Sequence, residues 1–404
     1  MKRITGNFSA NSQICYFTSC SLMKDDQTLI FISDSFIGSP NIFAKNLSTG
    51  EEKRLTGNTD GTLKSYVYFN GNENKGLGIA SVSVDSNNGF VYFIKGICIC
   101  KTDTDGNLKI IAKLPENQVT AFTHVSADGK KICVPTTDKR ALESDEFVND
   151  SPGYELSENG KNEVISGKPN YNIDERVQNE ELCSYIRVYD TETGEEILTE
   201  KVERAWITHV QFCPTDSNLI LYNHEWPSDC GIRRMWLWDG KNHTRLRTEN
   251  SGKNRSKDDW TCHEMWQSDG KYIIYHGKYS DGTAYIGRVS PKGGDNTEIS
   301  LPEKYRRYGH FTAGNSHNNL LVSDGYYHKE GQPENENWGG EWISVQTVDW
   351  DNRKIKWVPL CMHSSIWDCQ DSHPHPIFSH SDTSVYFTSN RDGKRAVFKV
   401  DINE

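Results

Sequence analysis

The sequence predicts an all-β chain folded as a seven-bladed β-propeller. Three observations predict it: helical periodicity is almost absent, one strand–turn–strand unit recurs seven times, and polar Asp/Asn/Gly turns separate the units. The units recur about every 60 residues, which fits small antiparallel sheets repeated around an axis so that only short edges are exposed. Two packed β-sandwiches are the competing architecture, and seven equivalent units favour the ring.

The first unit starts at Asp25-Asp26-Gln27-Thr28, passes through Leu29-Ile30-Phe31-Ile32 and residues 41–47, and turns at Ser48-Thr49-Gly50. The second runs from Asp85-Ser86-Asn87-Asn88-Gly89 through Phe90-Val91-Tyr92-Phe93-Ile94 and turns at Thr104-Asp105-Gly106. The third begins at Ala127-Asp128-Gly129, is interrupted by a polar insertion, and resumes at Tyr185-Ile186-Arg187-Val188-Tyr189. The remaining four begin near Pro214-Thr215-Asp216, Ser268-Asp269-Gly270, Asn315-Ser316-His317-Asn318 and Ser381-Asp382. Turn residues of this kind tolerate the backbone that a hairpin demands, and the apolar runs between them suit strands. The seventh unit stops at Val400-Asp401, short of a full sheet, so an N-terminal strand is expected to complete it and close the ring. Residues 1–404 read as one propeller domain, with polar loop insertions at about 139–183 and 326–341 over one face.

A formal net charge of −11 disfavours a nucleic-acid or anionic-membrane partner. No stretch approaches the ~20 apolar residues of a membrane span. Met1-Lys2-Arg3-Ile4-Thr5-Gly6-Asn7 leads into no apolar signal core, so a cytoplasmic location is expected. Eleven scattered cysteines without a CxxC pair are expected to be reduced and mostly buried, with Cys98 and Cys100 on one face of a strand. The sequence leaves the oligomeric state open and is compatible with a homo-oligomer.

The Asp-Gly turn follows the innermost strand of each blade and so sets its phase. Reading back from the turn finds His209-Val210-Gln211-Phe212 in blade four and His263-Glu264-Met265-Trp266 in blade five. His310-Phe311-Thr312-Ala313 holds the same place in blade six, and His375-Pro376-Ile377-Phe378 in blade seven. Four consecutive blades should therefore direct one imidazole each to the same channel mouth, whereas His124 is out of phase. In Gln370-Asp371-Ser372-His373-Pro374-His375-Pro376, the imidazoles at i and i+2 share one side of an extended chain. Neutral imidazole suits divalent Zn, Mn, Fe, Co or Ni, and the nearby Gln370 amide oxygen tilts the set toward a harder ion. Arg234 begins the third strand of blade four, just after Asn223-His224-Glu225-Trp226. A guanidinium is no metal ligand, and its planar fork suits a carboxylate, which points to an anionic substrate.

With these motifs in order, the chain resembles the oligogalacturonate lyases of polysaccharide lyase family 22, most strongly from about Trp206 onward. The family's Q-x-x-H-P-H-P matches Gln370, His373, Pro374, His375 and Pro376. Its H-E-G-P and R-M/I-W segments resemble His224-Glu225-Trp226-Pro227 and Arg234-Met235-Trp236, and its T-H-E-F-W resembles Cys262-His263-Glu264-Met265-Trp266. Its histidines before blades four and six resemble Thr208-His209 and Gly309-His310. The chain departs from the family at Gln13, where the family tends to place a histidine, at Trp226 in place of Gly, and in the insertion after Lys139.

The resemblance implies a divalent metal, usually manganese, held by His310, Gln370, His373 and His375, with His263 as base and Arg234 as an essential cation. His209 and His224 are expected on the substrate side. It further implies β-elimination on short galacturonides, di- or trimers, in intracellular pectin breakdown. The C5 proton of a uronate lies α to the carboxylate, so its removal builds enolate-like charge that a Lewis acid or cation neutralises. Neutral imidazole suits the base near neutral pH, while water, His209 or Arg234 could protonate the leaving oxygen. No P-loop, dinucleotide fingerprint or G-x-S-x-G elbow is present. A non-enzymatic TolB-like binding propeller is the alternative, but its channel would not require histidines in register.

Overall fold

Seven antiparallel sheets follow one another along the chain in the computed structural model, which describes residues 1–59, 61, 63–64, 76–120, 122–142, 155–156, 162–163, 180–224, 234–247, 259–302, 309–326, 341–366 and 372–402. Blade 1 comprises Ser12–Ile14, Thr28–Phe36, Ser39–Asn46 and Glu52–Arg54. Blade 2 comprises Ser83–Asp85, Phe90–Lys95, Cys98–Asp103 and Lys109–Lys113. In blade 3 the inner edge is split into Gln118–Val119 and His124–Val125, both pairing with Lys131–Asp138, followed by Cys183–Asp190 and Glu196–Glu203. The inner strands of blades 4, 5 and 6 are Val210–Cys213, Trp260–Trp266 and Phe311–Ala313, each leading a four-stranded meander.

Blade 7 is completed as the sequence requires. Ile377–Phe378, Ser384–Ser389 and Ala396–Asp401 supply three strands, and Lys2–Arg3 supplies the outermost one, with Lys2 opposite Lys399 and Arg3 opposite Phe398. Ring closure is thus made between the two ends of the chain.

Each sheet is covered on both faces by its neighbours, which explains why its middle strands read as continuous apolar runs rather than alternating ones. Ile14, Phe31 and Phe43 of blade 1 pack against Ile377, Tyr386 and Val397 of blade 7. Leu221, Met235 and Leu237 of blade 4 pack against Trp266, Ile273 and Tyr275 of blade 5. Outer strands such as Glu196–Glu203 are largely exposed. The nine described cysteines are all free thiols, with Cys98 and Cys100 in the same apolar cluster as expected.

In an antiparallel meander the second strand returns to the rim from which the inner strand started. Both long insertions connect second to third strands, so they leave from the rim that carries the histidines preceding the inner strands. Of the first insertion, the described parts are a short helical turn at Lys139–Leu142 and a ribbon pairing Glu155–Leu156 with Asn162–Glu163. Most of the second lies outside the described residues; a bridge between Tyr326 and Glu341 closes its base.

Candidate active site

His209 and His310 stand immediately before their inner strands because the end of the second strand holds them there. Asn223 N–H donates to the His209 carbonyl at 3.3 Å, and Asp324 N–H to the His310 carbonyl at 3.2 Å. The same two side chains reach back: Asn223 Oδ1 accepts the His209 N–H at 2.8 Å, and Asp324 Oδ1 accepts the His310 N–H at 2.7 Å. Blade 1 repeats the device with Asp34 Oδ1 accepting the Asn11 N–H at 2.7 Å. Its counterpart of the rim histidine is therefore Asn11, while Gln13 sits two residues deeper, in the register of Gln211 and Thr312.

The ligand nitrogens of His310, His373 and His375 lie within 4.8 Å of one another. His310 and His375 have ring centroids 4.2 Å apart, and His310 and His373 5.0 Å. His310 Nδ1 donates to Asp324 Oδ2 at 3.1 Å, which leaves Nε2 with its lone pair and forms the carboxylate–histidine half of a metal site. Asp324 Oδ2 also accepts the backbone N–H of His375 at 3.3 Å. His375 Nε2 is buried without a hydrogen-bond partner, an orphan that a cation would satisfy. Burial and the neighbouring imidazoles hold His375 well below the usual histidine range, and so in the neutral form that a ligand needs. These three residues fit a divalent ion; Gln370, the fourth expected ligand, lies outside the described residues.

The two histidines of the H-P-H converge by a different route from the extended one expected. His375 has φ 46°, a left-handed conformation, and its ring centroid is 5.9 Å from that of His373. Pro374 is fixed by accepting the Thr388 N–H at 2.9 Å, and the reversal at the next residue turns His375 back toward its partner.

His263 also departs from the simple phase. It sits inside Trp260–Trp266, where the register slips between Cys262 and Met265, so that His263 and Glu264 together oppose Tyr275. That is a β-bulge, and His263 adopts φ 53° within it. His263 Nδ1 lies 2.8 Å from His276 Nε2 and 3.3 Å from the Gly309 carbonyl. The carbonyl can only accept, so the tautomer that satisfies both contacts has the proton on Nδ1 and leaves Nε2 as the basic nitrogen. Burial, followed by the charges of His310, His276, Arg234 and His209, lowers the His263 pKa well below its ordinary value. His276 is pushed down to about 3, chiefly by burial. Gly309 has φ 77°, and a Cβ there would collide with Asp324 Oδ1, so only glycine allows the close approach that serves both His263 and His310.

Arg234 is brought to the same mouth. Its Nε donates to Glu264 Oε2 at 2.7 Å, and its Nη2 lies 3.3 Å from His209 Nδ1. Asn223 Nδ2 donates to the same Nδ1 at 2.9 Å, and His209 Nε2 lies 3.2 Å from Tyr16 Oη. Both ring nitrogens of His209 are thus engaged by protein groups, which sets it apart from the three converging imidazoles. His224 does not join them. Asn223 takes the inward register, and the His224 ring packs instead on Trp236 and Tyr222, with centroids 5.5 Å and 5.8 Å away.

Beneath the histidines lies an aromatic floor from blade 1. Phe17 is 5.4 Å from His263, 5.8 Å from His310 and 5.9 Å from His375, and Tyr16 is 5.1 Å from His375. Tyr16, Phe17, Asn223, Glu264, His276 and Asp324 were not singled out from the sequence. Asn223 and Asp324 were within reach of it: counting across each hairpin from its Asp or Asn turn places them opposite the rim histidines.

The fold and the site together define a class, a β-propeller with a histidine-built metal-type centre at one mouth of its channel. The family model for oligogalacturonate lyase matches residues 171–404, more than half of the chain. The chain belongs to the oligogalacturonate lyase family. It is 30% identical over 230 residues to an oligogalacturonide lyase of Pectobacterium atrosepticum, covering 54% of each chain. It is 28% identical over 233 residues to an oligogalacturonate lyase of Dickeya dadantii, again covering 54% of each. The matches span about half the length of these relatives. Among solved structures, an oligogalacturonate lyase in complex with manganese superposes with a TM-score of 0.74 at 20% identity, covering 100% of this chain and 93% of the other. The oligogalacturonate lyase of Vibrio parahaemolyticus does so with a TM-score of 0.74 at 21% identity and the same coverage. At these identities the two superpositions establish the fold.

Proposed function

We propose that this chain is a metal-dependent lyase that cleaves short galacturonides, di- and trimers, by β-elimination, releasing a 4,5-unsaturated uronate. The observation that carries this reading is the placement of three converging imidazoles beside a fourth, His263, whose Nδ1 is tied down and whose Nε2 is basic. His310, His373 and His375, with Gln370, are the proposed ligands of a divalent ion, most readily Mn²⁺ given the manganese complex of the similar structure. Bound there, such an ion supplies Lewis-acid neutralisation of the substrate carboxylate.

The chain's own residues do the rest. His263 Nε2 takes the C5 proton, and its neutral state at physiological pH keeps that nitrogen available. Arg234 faces the charge that develops as the proton leaves. The aromatic floor of Tyr16 and Phe17 excludes water from below, so these charges act in a low-dielectric setting. The leaving 4-oxygen collects its proton from water or from the Arg234–His209 side of the mouth. His224, whose ring packs on Trp236, keeps its proposed place on the substrate side. A cytoplasmic role in pectin breakdown accords with a substrate already reduced to oligomers, and among the described residues no helix is long and apolar enough to cross a membrane.

The test is ultraviolet absorbance of purified protein with Mn²⁺ and digalacturonate or trigalacturonate. Rising absorbance from the unsaturated product supports the proposal, and none with either substrate, with or without metal, rejects it. His263→Ala should abolish turnover while manganese content stays, whereas His373→Ala should lose the metal.

A further inference from the structure

The bulge in blade 5 presents two consecutive side chains to the channel mouth, and the proposed mechanism uses only the first. A regular strand would send His263 and Glu264 to opposite faces. Here both oppose Tyr275, and the pair shares one side. Glu264 is 3% exposed, and its carboxylate is the acceptor for Arg234 Nε at 2.7 Å. Its backbone is held as well, with the Glu264 carbonyl accepting Gln211 Nε2 at 2.7 Å. Gln211 belongs to the inner strand of blade 4, the blade that also carries Arg234 and His209.

We propose that Glu264 is the positioning residue for Arg234, and that the His263–Glu264 bulge is a single device that sets the base and the guanidinium in one frame. The inference rests on the lyase reading of the site. A guanidinium is planar, so two contacts at different nitrogens fix its plane. Glu264 takes Nε from the blade 5 side, and His209 meets Nη2 at 3.3 Å from the blade 4 side. Arg234 is thereby bridged between the strand that bears the base and the strand that bears His209. His209 gains a role in the same step: its Nδ1 lies among Arg234, Asn223 and Thr208, and its Nε2 lies at Tyr16 Oη, so it works as a wall that the arginine leans on.

The arrangement also accounts for a left-handed histidine in the middle of a strand. Positive φ is unfavourable for a side chain with a Cβ, and it is retained where the surroundings over-determine it. Without the extra residue, either the imidazole or the carboxylate would face away from the mouth.

Glu264→Gln keeps the size and one acceptor oxygen but removes the charge. It is expected to bind manganese as the parent does while kcat on digalacturonate falls about 10- to 100-fold, the loss of one charge-assisted hydrogen bond, with KM changed less than about threefold. Arg234→Lys and the double variant Arg234→Lys/Glu264→Gln should then be equally slow, because the carboxylate acts only through the guanidinium. Multiplicative losses in the double variant, or normal kcat in Glu264→Gln, would overturn the proposal. A fall in melting temperature with unchanged kcat would make Glu264 a merely structural residue and overturn it too. Galacturonate affinity by calorimetry separates this inference from the lyase reading. If no galacturonide is turned over by the parent, equal weakening of galacturonate binding in Arg234→Lys, Glu264→Gln and the double variant still upholds the Arg234–Glu264 unit, and independent weakening rejects it.

Discussion

Asp324 serves two ligand histidines at once, through the ring of His310 and the backbone of His375. It is fully buried, so its orientation is set by packing rather than by solvent. Asp324→Asn should leave the fold in place and weaken manganese binding about 10- to 100-fold, read by calorimetry on the metal-free protein. An affinity within twofold of the parent would show that His310 is oriented by its strand alone. At this scale the sequence was legible where chemistry is carried by residue type and illegible where it is carried by one dihedral. His310, His373, His375 and His263 were singled out by their spacing and Arg234 by its place at the start of a strand, and the structure groups His310, His373 and His375 with His263, and Arg234 with His209. The left-handed turns at His263 and His375 were not, because nothing in the residue names distinguishes a bulged histidine from an extended one. His276 and Glu264 escaped for the same reason, since each becomes relevant only once the bulge brings it round. His224 stands one residue beyond the inward place, which the period of two gives to Asn223.

At the scale of elements, blades 4 and 5 are joined by a buried ion network. Arg247, after the last strand of blade 4, contacts Glu298 at 2.5 Å, Asp259 at 3.2 Å and Thr261 Oγ1 at 3.3 Å. Glu298 also accepts the hydroxyls of Tyr275 and Tyr279 at 2.8 Å and 2.7 Å. Burial pushes the Glu298 carboxyl up, and the hydrogen bonds and charge of Arg247 more than offset that, so it ends below its usual value. A carboxylate lowered on folding stabilises the native state above its unfolded pKa of about 4.3, and that contribution fades as pH falls through the lower folded value. Glu298→Gln should therefore cost roughly 2 kcal/mol at neutral pH, since it removes one of the two carboxylates that pair with a buried arginine, and the gap from the parent should narrow below about pH 4. Urea melts at both pH values check the sign; a constant gap would mean that packing, not charge, carries the loss. The turns that phase the strands were readable here because Gly, Asp and Asn mark them, whereas this network draws on residues from 247 to 298 that no local pattern links.

At the scale of the molecule, the ring depends on its closure. Ile4 N–H donates to the Val397 carbonyl at 2.8 Å, Val397 N–H donates to Thr5 Oγ1 at 3.1 Å, and Arg3 pairs with Asp392 at 3.2 Å. Removal of residues 1–5 should lower stability by roughly 2–4 kcal/mol and bare Ala396–Asp401 as an unpaired edge, so a lower melting temperature and self-association in light scattering are expected. A monodisperse variant melting with the parent would show that the outer strand is dispensable. The seven-fold repeat made this closure readable in advance, because the last unit visibly lacked a strand. The aromatic floor extends the interdependence inward. Every proposed ligand, the base and the arginine lie in the half of the chain that the family model matches, but the rings beneath them, Tyr16 and Phe17, lie outside it. Sequence drift in the first blade therefore has a route to the chemistry that leaves every histidine in place, and relatives with identical histidines can diverge in reactivity through the rings that pack beneath them.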